Sequence, residues 1–168
     1  DLMKLFCCDD THSESPFDAS VKAGRFIIPF GTFNAMSYPG VYRTVTNPLM
    51  FNMGRRVGPL GPLQPVLPAP FSDEGLSIHL GATLTDCWTT TLDVYAFNGL
   101  QDSSPRIFNF SRSYMDNNRE PSVGGRVTIG NKFMRLGGSL MTGNLANDGN
   151  PAVPYKLGGA DATVRIHD

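Results

Sequence analysis

The most constraining feature of the sequence is a strict alternation of apolar and polar residues between Gly75 and Leu84. The apolar members are Leu76, Ile78, Leu80, Ala82 and Leu84, and the residues between them are polar or glycine. A repeat of two residues is the period of a β-strand, in which successive side chains point to opposite faces of a sheet. The segment therefore predicts a strand with one apolar and one polar face.

The same alternation recurs along most of the chain. Further segments that follow it are residues 19–28, 88–96, 123–129, 134–140 and 157–167. The first of these is the weakest, because Arg25 falls on its apolar side. No clear helical period competes with the alternation, although residues 44–53 can hold one short helical turn. The pattern predicts an all-β, antiparallel up-and-down sheet of about six strands.

The predicted connections between strands alternate in length: long, short, long, short, long. They are residues 29–73, 85–87, 101–122, 131–133 and 145–156. Compact soluble domains seldom keep loops longer than about 12 to 15 residues, whereas outer-membrane barrels combine short periplasmic turns with long extracellular loops. The alternation of connection lengths therefore favours a transmembrane β-barrel whose short turns lie on the periplasmic side and whose long loops lie on the extracellular side.

The first long connection is rich in proline. It contains Pro59, Pro62, Pro65, Pro68 and Pro70, whose spacing favours an extended, polyproline-like backbone. Such a backbone has unpaired polar groups and cannot lie in hydrocarbon. We expect it to lie outside the membrane or to fold into a lumen; the alternative is a flexible linker between two domains.

Residues 17–168 are assigned to one β-barrel domain, and residues 1–16 remain unassigned. About six strands are too few to enclose an aqueous pore, and an open edge is not stable in lipid. The chain begins at Asp1 without an initiator methionine and ends within a predicted strand. We interpret it as a fragment of a longer barrel, incomplete as it stands.

The alternation alone does not say whether the apolar face meets lipid or a protein core, since a soluble lipocalin-like barrel has the same period. The polar face is dominated by Gly, Ser, Thr, Tyr and Asp, not by the Lys and Glu of a soluble exterior. About 10 residues at ~3.3 Å each, tilted by ~40°, span roughly the 25 Å apolar band of an outer membrane. Trp88 and Phe133 adjoin the short turns, where an aromatic girdle lies.

Several short motifs occur in a fixed order. They are Gly24 to Gly31 (GRFIIPFG), Asn98-Gly99, Asp116 to Asn118 (DNN) followed by Val123 to Val127 (VGGRV), and Leu157 to Asp161 (LGGAD). Together they resemble the phosphate-selective porin O/P and related outer-membrane porin-like families of Gram-negative bacteria. The resemblance implies passive diffusion of small hydrophilic solutes through a barrel with more strands than this chain supplies. The proline-rich insertion at residues 54–71 departs from that pattern.

If the polar faces line a lumen, the ionisable residues of the wall can be named. The pore-lining candidates are Lys22, His79, Asp93, Arg126, Arg135, Asp161 and Arg165. With histidine neutral, positive residues outnumber negative ones, which predicts a preference for anions such as phosphate or small carboxylates. The alternative is that these charges pair across neighbouring strands, for instance Asp161 with Arg135, and only stiffen the wall.

Other function classes have weaker support. Charged residues make up 17% of the chain and its net charge is −1, which gives no basis for nucleic-acid binding. No apolar run reaches the length of a membrane-spanning helix. Residues 54–61 are glycine-rich but lack the Gly-Lys-Ser or Gly-Lys-Thr of a phosphate-binding loop. The three cysteines define neither a disulfide framework nor a zinc site.

Catalysis is not expected. Ser77, His79 and Asp93 lie on one predicted face and can be drawn as a hydrolase triad, but any two strands rich in such residues offer as much. The three histidines, His12, His79 and His167, are far apart in the sequence, and we expect no metal site from them. We expect neither enzymatic activity nor a metal or other cofactor.

The expected partners are small hydrophilic solutes or anions and the lipid of a bacterial outer membrane; association as a homotrimer is left open. The competing function is a soluble antiparallel β-barrel or sandwich that binds a hydrophobic ligand or carbohydrate through its long loops.

Overall fold

The computed structural model describes residues 16–36, 71–85, 87–102, 110–112, 121–147 and 150–165. These residues form eight strands and one short helix. The elements are β1 (Phe17–Ile27), α1 (Gly31–Met36), β2 (Ser72–Thr85), β3 (Trp88–Phe97), β4 (Leu100–Asp102), β5 (Phe110–Arg112), β6 (Ser122–Gly130), β7 (Met134–Asn147) and β8 (Asn150–Val164). The predicted all-β fold is confirmed, with a strand at each of the six predicted places.

The six long strands form one antiparallel sheet in up-and-down order. Each pairs with the next in the order β1, β2, β3, β6, β7, β8. The sheet is open, because β1 and β8 each have a partner on one side only among the described strands. The short strands β4 and β5 pair with each other, and β4 joins β7 in parallel at Gln101 and Ala146. They lie in the connection between β3 and β6, which the sequence predicted as loop.

The register keeps the two kinds of side chain on separate faces. Ile78 lies opposite Val21 and Val94, whereas Ser77 lies opposite Lys22 and Tyr95. Directly opposed residues of an antiparallel pair point to the same side of the sheet. We call the side with Ile78 the apolar face and the side with Ser77 the polar face.

The last connection differs from the prediction. Residues 145–156 were expected to form a long loop, but β7 continues to Asn147 and β8 begins at Asn150. Asn144 pairs with Pro154 in this extension, and the ladder shifts register between Leu145 and Asn147. The alternation was traced only to Leu140 and from Leu157, and the extension between them includes Pro154, which an edge strand tolerates when the missing N–H faces away from the partner. The other four connections alternate in length as predicted.

The start of the long connection after β1 also differs. The sequence placed residues 29–73 in a loop, but α1 forms within it. The buried side chain of Asn34 fixes the base of this connection: its amide donates to the carbonyl oxygens of Ile28 (2.7 Å) and Phe71 (2.8 Å), and its oxygen accepts the Phe71 N–H at 2.8 Å. The helical turn proposed for residues 44–53 and the five closely spaced prolines lie outside the described residues.

Residues 28–34, which we call the inner segment, pack on the polar face. The buried core lies between this segment and the end of the sheet where the long connections begin. It consists of Ile28, Phe30, Phe71, Tyr95, Phe97, Leu100, Met141 and Tyr155. Phe71 meets Phe97 edge to face, with ring centroids 5.6 Å apart, the geometry that aromatic pairs favour. The molecule is therefore packed on its polar face.

The apolar face is exposed across all six strands. Leu140 is 72% exposed and Val21 66%, whereas Arg126 on the polar face is 7% exposed. Other large aliphatic residues exposed on the apolar face are Leu76, Ile78, Leu84, Leu92, Val94, Val123, Val127, Ile129, Leu136 and Val164. The apolar side chains of this sheet are therefore exposed, whereas a sheet that packs on a protein core buries them.

Candidate functional site

The register places the predicted lining residues on the polar face. His79 lies opposite Asp93, and Asp93 lies opposite Arg126. Lys22 lies on the same face opposite Ser77. The remaining candidates are on β7 and β8 or directly after β8: Arg135 opposite Thr163, Asp161 opposite Gly137, and Arg165, whose N–H donates to the Phe133 carbonyl.

The strongest charge pair on this face joins Arg126 and Asp161. The Arg126 Nη1 donates to Asp161 Oδ2 at 2.6 Å, and Nη2 donates to Oδ1 at 2.8 Å. The paired geometry matches the guanidinium fork to both carboxylate oxygens, which makes the bond both strong and directional. The proposed pairing of Asp161 with Arg135 is therefore wrong. Asp161 pairs with an arginine two strands away, across β7.

A glycine makes this long reach possible. Gly137 on β7 lies directly beneath the pair, and a Cβ at this position would be 2.5 Å from Arg126 Nη2 and 2.9 Å from Asp161 Oδ1. Any larger residue at this position would displace the guanidinium or the carboxylate. The absence of a side chain on the middle strand therefore lets β6 and β8 interact directly.

The pair also holds the inner segment. Arg126 Nη2 donates to Thr32 Oγ1 at 2.9 Å, and the Thr32 hydroxyl donates to Asp161 Oδ1. Ser139 Oγ accepts the Gly31 N–H at 3.1 Å and the Arg126 Nη1 at 2.9 Å. We call Gly31, Thr32, Arg126, Ser139 and Asp161 the Arg126 cluster. Its hydrogen bonds fix the inner segment over the middle of the polar face.

A second polar contact joins neighbouring strands. His79 Nδ1 lies 2.7 Å from Asp93 Oδ1, and His79 Nε2 lies 3.9 Å from Asp18 Oδ2. Both ring nitrogens therefore face carboxylates. No hydrogen bond joins His79 to Ser77 among the described residues, so the geometry does not assemble the triad that the sequence allows.

A cleft of about 230 Å³ opens on the polar face at the short-turn end of the sheet. Three cationic residues line it: Lys132, Arg135 and Arg165. The hydroxyl-bearing residues Thr32, Thr89 and Thr163 line it too, and its lining contains no carboxylate. A concave surface with cations, hydroxyl donors and no acid concentrates anions. We call this surface the cationic cleft.

Sequence reasoning missed two contributors to this face. Lys132 was overlooked because it lies in a tight turn, although its place three residues before Arg135 was a usable signal. Thr32 was overlooked because it lies in a predicted loop, and nothing local to it indicates a contact with Asp161, 129 residues away.

The described residues contain no group of three or more His, Cys, Asp or Glu side chains arranged to hold a metal ion. Within the part of the chain that the structure describes, no helix is long and apolar enough to cross a membrane. Comparison with protein-family models, with curated proteins and with solved structures finds no match for this chain.

Proposed function

We propose that this chain is part of an outer-membrane, porin-like channel. In this proposal lipid hydrocarbon covers the apolar face and water fills the space beside the polar face. Small hydrophilic solutes diffuse passively along that face, without a covalent step or a cofactor. The observation that carries the proposal is the exposure of the apolar face across six strands, together with the burial of polar residues on the other side.

The energetic argument concerns what must cover that face. A large aliphatic side chain left in water forgoes roughly 1.5–3 kcal/mol relative to burial. The competing function, a soluble barrel or sandwich that binds a hydrophobic ligand or carbohydrate, needs protein over the apolar face. Among the described residues, the inner segment packs on the sheet from the polar face instead. This arrangement favours lipid as the covering medium.

The dimensions of the apolar face agree with a bilayer. About nine residues of β2, from Leu76 to Leu84, rise ~3.3 Å each; at the ~40° tilt usual in membrane barrels they span roughly 23 Å. The charged residues Arg25, Glu74 and Lys156 lie at or just beyond one end of this band. Because unpaired strand edges are costly in hydrocarbon, the proposal requires further strands to pair with β1 and β8.

The charges of the polar face favour anions as the conducted solutes. Asp161 is neutralised by Arg126, and Asp93 contacts His79. Arg135 and Arg165 make no ion pair with any described residue and lie in the cationic cleft. A narrow passage bordered by uncompensated cations raises the local concentration of anions. We propose phosphate and small carboxylates as permeant classes.

The test is reconstitution of the full-length protein. We expect it to require detergent for extraction from membranes and to give stepwise conductance in planar bilayers. In a salt gradient the reversal potential should shift in the direction of anion selectivity. A protein that partitions into buffer without detergent as a monodisperse species would exclude the channel and support the soluble alternative.

A further inference from the structure

The apolar face carries a groove that ends at a lysine. Two adjoining depressions of about 520 Å³ each share Gly125 and Leu140 in their lining. The first is bordered by Val94, Val123 and Lys156, and the second continues along β7 to Gly138. Together they form a track, which we call the lipid groove, along the outer side of β6, β7 and β8.

The charge at the end of this groove is isolated. Lys156 is exposed, and its ammonium group makes no hydrogen bond or ion pair with the described residues. It is the one charged residue among the described apolar-face positions of β7 and β8. A single cation at the boundary of an apolar surface is complementary to an anionic headgroup whose acyl chain lies on that surface.

The length of the groove matches one leaflet. Lys156 and Ala160, which lies at the level of Gly138, are four residues apart on β8, a distance of about 13 Å along the strand. At the ~40° tilt usual in membrane barrels this distance spans about 10 Å of the bilayer, and half of an apolar band about 25 Å thick is roughly 12 Å. The groove therefore runs from the charged end of the apolar band to about its middle, as an acyl chain of one leaflet does.

From this geometry we infer that the groove binds a specific lipid with a net anionic phosphate headgroup. The headgroup contacts Lys156 and one acyl chain lies past Leu140 towards Gly138. The inference rests on the proposed membrane location. It goes beyond that location by assigning a lipid class and a binding site on the outer side of the sheet.

The experiment is native mass spectrometry of the full-length protein in detergent, with phosphatidylglycerol or phosphatidylcholine of identical acyl chains as probes. The wild-type protein should retain phosphatidylglycerol about fivefold more tightly, the effect expected of one basic residue near an anionic headgroup. Lys156→Gln should remove this preference and Lys156→Arg should keep it. The matched control is Lys22→Gln, which neutralises an exposed lysine on the opposite face and should leave the preference unchanged.

A second variant tests the acyl-chain position. A Cβ at Gly138 would have no atom within 4 Å, so Gly138→Leu fills the groove without displacing the sheet. This variant should weaken the binding of both lipids equally. The inference would be overturned if the wild-type protein retained the two lipids equally. It would also be overturned if Lys156→Gln and Lys22→Gln lost the preference for phosphatidylglycerol to the same extent. Conductance of the same samples separates the two proposals: insertion and conduction without lipid preference refute only the groove, whereas failure to insert refutes both.

Discussion

Removal of the Arg126 guanidinium is the sharpest perturbation of this fold. Arg126→Met keeps much of the side-chain volume but deletes the two bonds to Asp161 and those to Ser139 and Thr32. Breaking a buried ion pair by removing one partner costs roughly 3–5 kcal/mol. Because the Asp161 side chain keeps 21% exposure and regains some hydration, we expect a loss near the lower end, about 3 kcal/mol.

The assay is equilibrium urea unfolding of the full-length protein in detergent micelles, arranged as a double-mutant cycle. The variants are Arg126→Met, Asp161→Asn and the combination of both. Each single change removes the same interaction. The double variant should therefore lose less free energy of unfolding than the sum of the two single losses, with a coupling energy of about 2 kcal/mol. Arg135→Gln is the matched control: it neutralises an exposed arginine on the same face and should change the free energy of unfolding by less than about 0.5 kcal/mol.

The same variant has a functional consequence if the polar face borders a passage. The Arg126 cluster holds the inner segment on that face, where the segment would obstruct such a passage. In Arg126→Met the segment should leave the sheet, and single-channel conductance should therefore rise. Additive single effects in the cycle would refute the coupling between Arg126 and Asp161. Unchanged conductance in a variant with confirmed loss of stability would refute the role of the inner segment as an obstruction.

Three further outcomes are expected. Val127→Arg, level with Gly138 near the middle of the apolar band, should disfavour insertion into lipid vesicles by roughly 2–4 kcal/mol, the cost of arginine on a lipid-facing strand near the midplane. Unchanged folding yield in vesicles would contradict a lipid-facing position. Neutralising Lys132 and Arg135 together as glutamines should shift the reversal potential in a salt gradient towards zero; no shift would mean that the cationic cleft does not select ions. Gly137→Ala should lower the urea midpoint because its methyl group meets the guanidinium, whereas Gly138→Ala, on the open face of the same strand, should leave it nearly unchanged.

The strands and their two faces could be predicted because period-two alternation directly encodes which side of a sheet each residue occupies. The alternation around Leu76 and around Val123 therefore predicted both the strand positions and which residues share each face. The extension of β7 and β8 could not be read in this way, since Pro154 is a loop signal except on a sheet edge. Edge position is a property of the assembled sheet.

The contacts of the polar face were only partly predictable. The sequence placed Arg126 and Asp161 on one face but suggested Arg135 as the partner of Asp161, because pairing across an intervening strand depends on Gly137. That the first long connection folds into a lumen was one of two expectations, but the contacts of the inner segment were not predicted, since Gly31 and Ser139 are 108 residues apart and no local pattern indicates such a contact.

Asn34 has a consequence for how this chain can vary. Its amide, together with the bond from the Ile28 N–H to the Phe71 carbonyl (3.0 Å), brings the departing and returning backbone to one point. Once the two ends are clamped, doubling the length of chain between them costs only about 0.6 kcal/mol in closure entropy. Because Asn34 and Phe71 hold the two ends together, we expect insertion of foreign peptides between them, or evolutionary lengthening there, to cost little stability.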